Sequence, residues 1–132
     1  MKRTATVILS VLTLSGCVTG ITTDSPSRAV NSSGTYQEAY RRADAFARTC
    51  HSEAGGPLVG SFTVSGNLYS DNQTGVVRVR HPSASGDLMR VDIADAPHGS
   101  SSVIWVAGIG MWDLRQLDAI AKAIQTGEIS CR

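Results

Sequence analysis

The chain has 132 residues, of which 42% are hydrophobic and 17% charged, a composition that suits one domain folded around a core and argues against both a multidomain enzyme and a wholly disordered chain. Twelve Lys and Arg against eleven Asp and Glu give a net charge of +1. Taking away Lys2 and Arg3 with the first sixteen residues leaves ten against eleven, or −1, so no strong field points to nucleic acid as a partner.

The N-terminus reads as an address. Met1, Lys2 and Arg3 form a short positive region, and residues 5–14 are an apolar run interrupted only by Thr6, Ser10 and Thr13. That run is about half the roughly twenty residues a transmembrane helix needs, so it fits the hydrophobic region of a signal peptide, residues 1–16. Leu14, Ser15, Gly16 and Cys17 then stand as a branched apolar residue, two small ones and a cysteine. This tetrad resembles the lipobox of bacterial lipoproteins. The resemblance implies cleavage between Gly16 and Cys17, diacylglycerol on the Cys17 sulfur and acylation of the new amino group, with this covalent lipid as the only cofactor. Two or three acyl chains, each buried methylene contributing about 0.8 kcal/mol, hold a protein to a membrane where one does so only marginally. Val18 follows the cysteine where an Asp favours inner-membrane retention in such lipoproteins, so the resemblance points to the outer membrane, facing the periplasm.

Residues 17–33 are rich in Ser, Thr and Gly with few apolar positions and no period, which reads as a flexible tether with a reach on the order of 20 Å. Residues 34–132 are then the single folded domain, a size at which an extra staple helps.

Thr35 followed by Glu38 has the form of a capping box, and Tyr36, Ala39, Tyr40, Ala43, Phe46, Ala47 and Cys50 make a helical stripe behind it. Gly55, Gly56 and Pro57 are the expected breakers. Strict alternation then places Leu58, Gly60, Phe62, Val64, Gly66 and Leu68 on one face of a first strand. After turn formers at 71–75, Val77 and Val79 face inward with Arg78 and Arg80 outward. After a second turn, Met89, Val91 and Ile93 face inward with Arg90 and Asp92 outward. A last strand, 103–109, is apolar on both faces. Asp113 caps a second helical stripe of Leu114, Leu117, Ile120, Ala121 and Ile124, with Gln116 three residues after the cap and Gly127 as its stop. Helix, four strands and helix predict an α+β fold: a two-layer sandwich with a four-stranded antiparallel sheet and both helices on its one apolar face.

In an exported protein three cysteines are one lipidation site and one pair. Cys50 lies near the end of the first helix and Cys131 just past the second, so helices packed side by side let the two form a disulfide.

Chemistry is less legible. His51, His81 and His98 match no metal-ligand spacing, and no hydrolase elbow, zinc-protease helix or phosphate loop occurs. Gly108 and Gly110 before the second helix offer amides for an anion or simply a tight turn. Asp92 and Asp95 are better read as partners of cross-strand Arg than as an acid and base pair. Trp105 and Trp112 read as core. The expected binding face is the outward side of the sheet, with Arg78, Arg80 and Arg90, only Asp92 to neutralise them, and Ile104 and Val106 of the last strand. Arg suits bidentate contact with carboxylate or phosphate, so the partner is expected to be a protein or an anionic envelope component. The functional expectation is a membrane-tethered binding or accessory module without catalytic residues. A lipid-anchored hydrolase using one of the three His with a loop Ser, and an inhibitor of an exogenous enzyme, are the alternatives.

Overall fold

The structure, a computed structural model, describes residues 18–52 and 62–131. The expected signal peptide at 1–16, Cys17, the breakers at 55–57 and positions 58–61 of the expected first strand lie outside the described residues. The element order is β1 (Ser27–Ser32), α1 (Tyr36–Ala47), a π-helical turn (Arg48–Ser52), β2 (Thr63–Tyr69), β3 (Thr74–Arg80), β4 (Asp87–Ala96), β5 (Gly99–Val106) and α2 (Leu114–Thr126). The class is α+β as expected, with one antiparallel sheet and two helices, but the sheet has five strands in the order β1-β5-β4-β3-β2.

The additional strand corrects the reading of residues 18–33 as a tether. β1 pairs antiparallel with β5 from Ser27 opposite Trp105 to Ser32 opposite Ser100, and Val30 and Ser32 are buried. Upstream, the Val18 carbonyl accepts from the Ser85 amide at 3.1 Å, and the Ile21 amide donates to the Asp87 carbonyl at 2.8 Å. Gly20 passes so close to Gly86 that a Cβ on it would meet that backbone at 2.7 Å, which leaves room for glycine only. A six-residue strand with one large apolar side chain carries almost no local signal; the ladder of β5 holds it in place.

Each helix is fixed by its caps. Thr35 Oγ1 accepts from the Glu38 amide at 3.2 Å. The Glu38 carboxylate pairs with Arg42 one turn on instead of returning to the cap. Arg42 in turn donates to the Ile124 and Gln125 carbonyls at 2.9 and 3.1 Å, closing the C-terminus of α2, where a cation meets the negative end of the helix dipole. Asp113 Oδ1 accepts from the Arg115 and Gln116 amides at 3.0 and 3.2 Å. Gly127 ends α2 in the left-handed conformation, φ 77°, with its amide on the Ala123 carbonyl at 2.8 Å.

Both helices cover the same face of the sheet. Ala39, Ala43 and Ala47 form a small-residue stripe that lets α1 lie close to the strands. Phe46, Leu117, Ile120 and Ile124 meet Val77, Val79, Met89, Val91 and Ile93 in one core. Leu114, expected in the stripe, is 63% exposed, because α2 first turns inward at Gln116. Leu68, expected to face inward, is 43% exposed because β2 is the outer strand of the sheet. Cys50 and Cys131 form a disulfide, with Cα atoms 5.3 Å apart at a sequence separation of 81. The π-helical turn carries Cys50 and His51 inward, and both are buried.

Candidate binding face

With both helices on one side, the other side of the sheet is open, and the strand registers define what it presents. Ser65 stands opposite Arg78, Arg78 opposite Arg90, Arg90 opposite Trp105, and Trp105 opposite Ser27. These five residues form one row across the whole sheet. The neighbouring row is Asn67, Val76, Asp92, Val103 and Ala29.

Period two therefore places Arg78, Arg80 and Arg90 outward as expected, but two parts of the expected face are corrected. Ile104 and Val106 are fully buried in the core together with Ser100 and Ser102; Val103 and Trp105 occupy the open face in their place. A strand apolar on both sides gives no phase from sequence, and β5 lies between β1 and β4, so both its faces are built for cover or contact. The second correction concerns charge. Arg78 and Arg90 are like charges in directly opposed positions, normally mildly destabilising. Asp87 relieves this by pairing with Arg80 and, at 3.4 Å, with Arg78, while Asp92 accepts from Arg90 Nε at 2.8 Å. Three guanidinium groups thus share two carboxylates, and Asp92 is not their only counter-ion. Such partly exposed pairs contribute about 0–1 kcal/mol each, so their main effect is to hold the guanidinium planes in place.

The face is concave on both sides of Arg90. A depression of about 420 Å³ is bounded by Tyr69, Arg78, Arg90, Asp92 and Val103. A second, of about 390 Å³, lies between Trp105, Arg90 and the segment Ile21, Thr22 and Thr23. Sequence reasoning missed Trp105, Val103, Tyr69 and this N-terminal rim; the first two needed the β4–β5 register, which a strand apolar on both faces does not declare.

The other singled-out residues scatter. His51 is buried beside Phe46, Phe62 and Trp112, with ring centroids at 6.0, 6.3 and 4.6 Å. His81 also packs against Phe62, at 5.4 Å, and accepts at Nδ1 from the Ser83 amide. His98 is exposed in the turn at the opposite end of the sheet. Trp112 belongs to the core as expected, whereas Trp105 does not. The Gly108 amide goes to the Trp112 carbonyl at 2.8 Å, the tight-turn reading of that pair. Asp95 is exposed at the end of β4 while Asp92 holds Arg90. Among the described residues no group of three or more His, Cys, Asp or Glu is placed to hold a metal ion, and no helix is long and apolar enough to cross a membrane.

Two carboxylates on this domain have defined electrostatic roles outside the face. Arg115, through its side-chain hydrogen bond, and the amides at the start of α2 hold the Asp113 carboxyl below the usual range. Asp44 pairs with Arg48 one turn on and raises its pKa, while partial burial and the nearby Asp44 raise that of Tyr40.

Comparison with known protein families, curated proteins and solved structures found no match for this chain.

Proposed function

We infer that the chain is an envelope lipoprotein, anchored through lipid on Cys17 to the outer membrane and facing the periplasm. Its folded body serves as a binding or accessory module that contacts a protein or an anionic envelope component through the open sheet face. The observation that carries the reading is the row Arg78, Arg90 and Trp105 on a face that neither helix covers. Guanidinium groups already oriented by Asp87 and Asp92, set beside an indole and Val103, suit a carboxylate or phosphate attached to an apolar group. Alternation of apolar and charged side chains across a concave face is the pattern of a contact surface with a polar rim. The lipobox tetrad supports the anchoring.

The test is crosslinking in the native envelope with the natural chain and with Arg78, Arg80 and Arg90 changed together to Gln. Loss of one defined crosslinked species with an unchanged melting temperature supports the face. Retention of that species in the variant, or its loss on changing Trp112-side residues instead, assigns contact elsewhere.

A further inference from the structure

Resting on the lipoprotein reading, we propose that the body is seated directly on the lipid bilayer through one apolar end of the sheet instead of hanging from it on a tether. The turns after β3 and β5 and the segment before β1 meet at that end. There Val18, Phe62, Leu88, Ile109, Met111 and Trp112 line a groove of about 290 Å³. Val18 and Ile109 are among the exposed large hydrophobic residues of the domain, at 38% and 42%.

What identifies the occupant is where the chain enters. Val18 is already fastened to the body: its carbonyl takes the Ser85 amide at 3.1 Å, and it forms a bridge with Ala84. One peptide unit, about 3.8 Å between Cα atoms, separates Val18 from the residue that carries the lipid. With Cys17 anchored in the headgroup region, no slack remains for the groove to stand clear of it. Interfacial apolar groups settle about 5–10 Å into the boundary of headgroups and acyl chains, a depth that brings Ile109, Met111 and the groove walls into the same layer as the anchor. The bilayer thus covers apolar surface that the fold leaves open, and it orients the body with the turns at 70–73 and 96–99 farthest from the membrane.

The experiment uses the full chain extracted from its membrane and reconstituted into vesicles of phosphatidylethanolamine and phosphatidylglycerol, with an intact mass to establish the lipid. The sequence has two tryptophans, so Trp105→Phe leaves Trp112 as the sole indole. Brominated acyl chains in the vesicles are expected to quench most of its emission, and Ile109→Glu in the same background to restore much of it. As a second measurement on the natural sequence, amide exchange at residues 107–111 is expected to slow on vesicles relative to the Cys17→Ser protein, with no change at 71–73. A lipid-carrying, vesicle-bound protein whose Trp112 emission is indifferent to bromination and whose 107–111 amides exchange as in solution overturns the seat. Slow exchange at 107–111 without quenching by the bulk lipid also overturns it, since the groove then holds the protein's own acyl chain. A mass without lipid, and a protein that does not float with vesicles, overturns the anchoring reading and the seat with it.

Discussion

The Gln116 side-chain amide donates to Nε2 of His51 across 2.7 Å in a site where both residues are buried. An amide nitrogen has only protons to offer, so in this arrangement the His51 ring nitrogen accepts. The bond ties the first turn of α2 to the π-helical turn that also carries Cys50. Gln116→Leu leaves the ring nitrogen without its donor among Phe46, Phe62 and Trp112, at a cost of about 1–3 kcal/mol. Adding His51→Phe removes the stranded acceptor and recovers much of that loss. Urea unfolding of the two single variants and the double variant checks it: additive losses would mean the bond contributes nothing of its own.

The disulfide closes a separation of 81 residues, which in the chain-entropy account stabilises by about 4.5 kcal/mol. For a domain whose total stability is of order 5–15 kcal/mol that is a large share. Cys50→Ala with Cys131→Ala is therefore expected to lower the denaturant midpoint strongly. Mass spectrometry of the natural protein should show no alkylation at either cysteine until reductant is added; labelling of both without reductant contradicts the bridge.

These two links were legible to very different degrees. Parity of cysteines and their places at two helix ends pointed to the bridge, and the caps Thr35, Asp113 and Gly127 were readable because capping is a local hydrogen-bonding problem. The inward positions of β3 and β4 were readable because apolar and charged residues alternate there. β1 was not legible, since Ser27–Ser32 draws its stability from β5, about seventy residues away, and not from its own side chains. Nor was the phase of β5, where two serines face the core and a tryptophan faces out. Of the candidate face, the three arginines came from periodicity, whereas Asp87, Val103 and Trp105 needed the register.

Asp113 gives the domain a defined acid response. Its pKa is depressed in the folded protein, first by the Arg115 side-chain hydrogen bond and then by the α2 amides. A depressed acid stabilises fully above its unfolded pKa and loses that contribution as pH falls through the folded value. The melting temperature of the natural protein should thus fall more steeply below about pH 4 than that of Asp113→Asn, which keeps a cap acceptor without the charge. Parallel curves for the two proteins from pH 6 to pH 2 count against this role.

The phase of β5 makes a contrast between adjacent residues. Ile104 is fully buried, and Ile104→Ala should cost about 2–5 kcal/mol. Val103 lies on the open face opposite Asp92, and Val103→Ala should stay within about 0.5 kcal/mol. Ser102 tests the same phase from the polar side. Its hydroxyl is buried without a hydrogen-bond partner among the described residues, so Ser102→Ala should be neutral or stabilising. Thermal melts of the three variants decide it, and a costlier Val103→Ala than Ile104→Ala would reverse the assignment of faces.

Whether residues 18–33 belong to the body or merely connect it can be separated by two substitutions one position apart. In β1, Val30 enters the core beside α2, whereas Ala29 faces outward opposite Val103. A flexible tether would tolerate a charge at either position, because neither would be buried. A strand would not. Val30→Asp removes an apolar contact whose burial stabilises by about 1.5–3 kcal/mol and adds the desolvation of a carboxylate, while Ala29→Asp should shift stability by about 0.5 kcal/mol or less. Glycine sharpens the contrast from the partner side: Gly99, at φ 143°, lies where a Cβ would fall 2.0 Å from the Ser32 carbonyl oxygen, so Gly99→Ala must push β1 away from the hairpin. Both Val30→Asp and Gly99→Ala are therefore expected to uncover the edge of β5, and an uncovered edge pairs with another chain. The measurement is melting temperature together with sedimentation: Val30→Asp and Gly99→Ala should melt early and self-associate, with Ala29→Asp behaving as the natural protein. If all three match the natural protein, β1 contributes nothing to the fold and the segment is a tether after all.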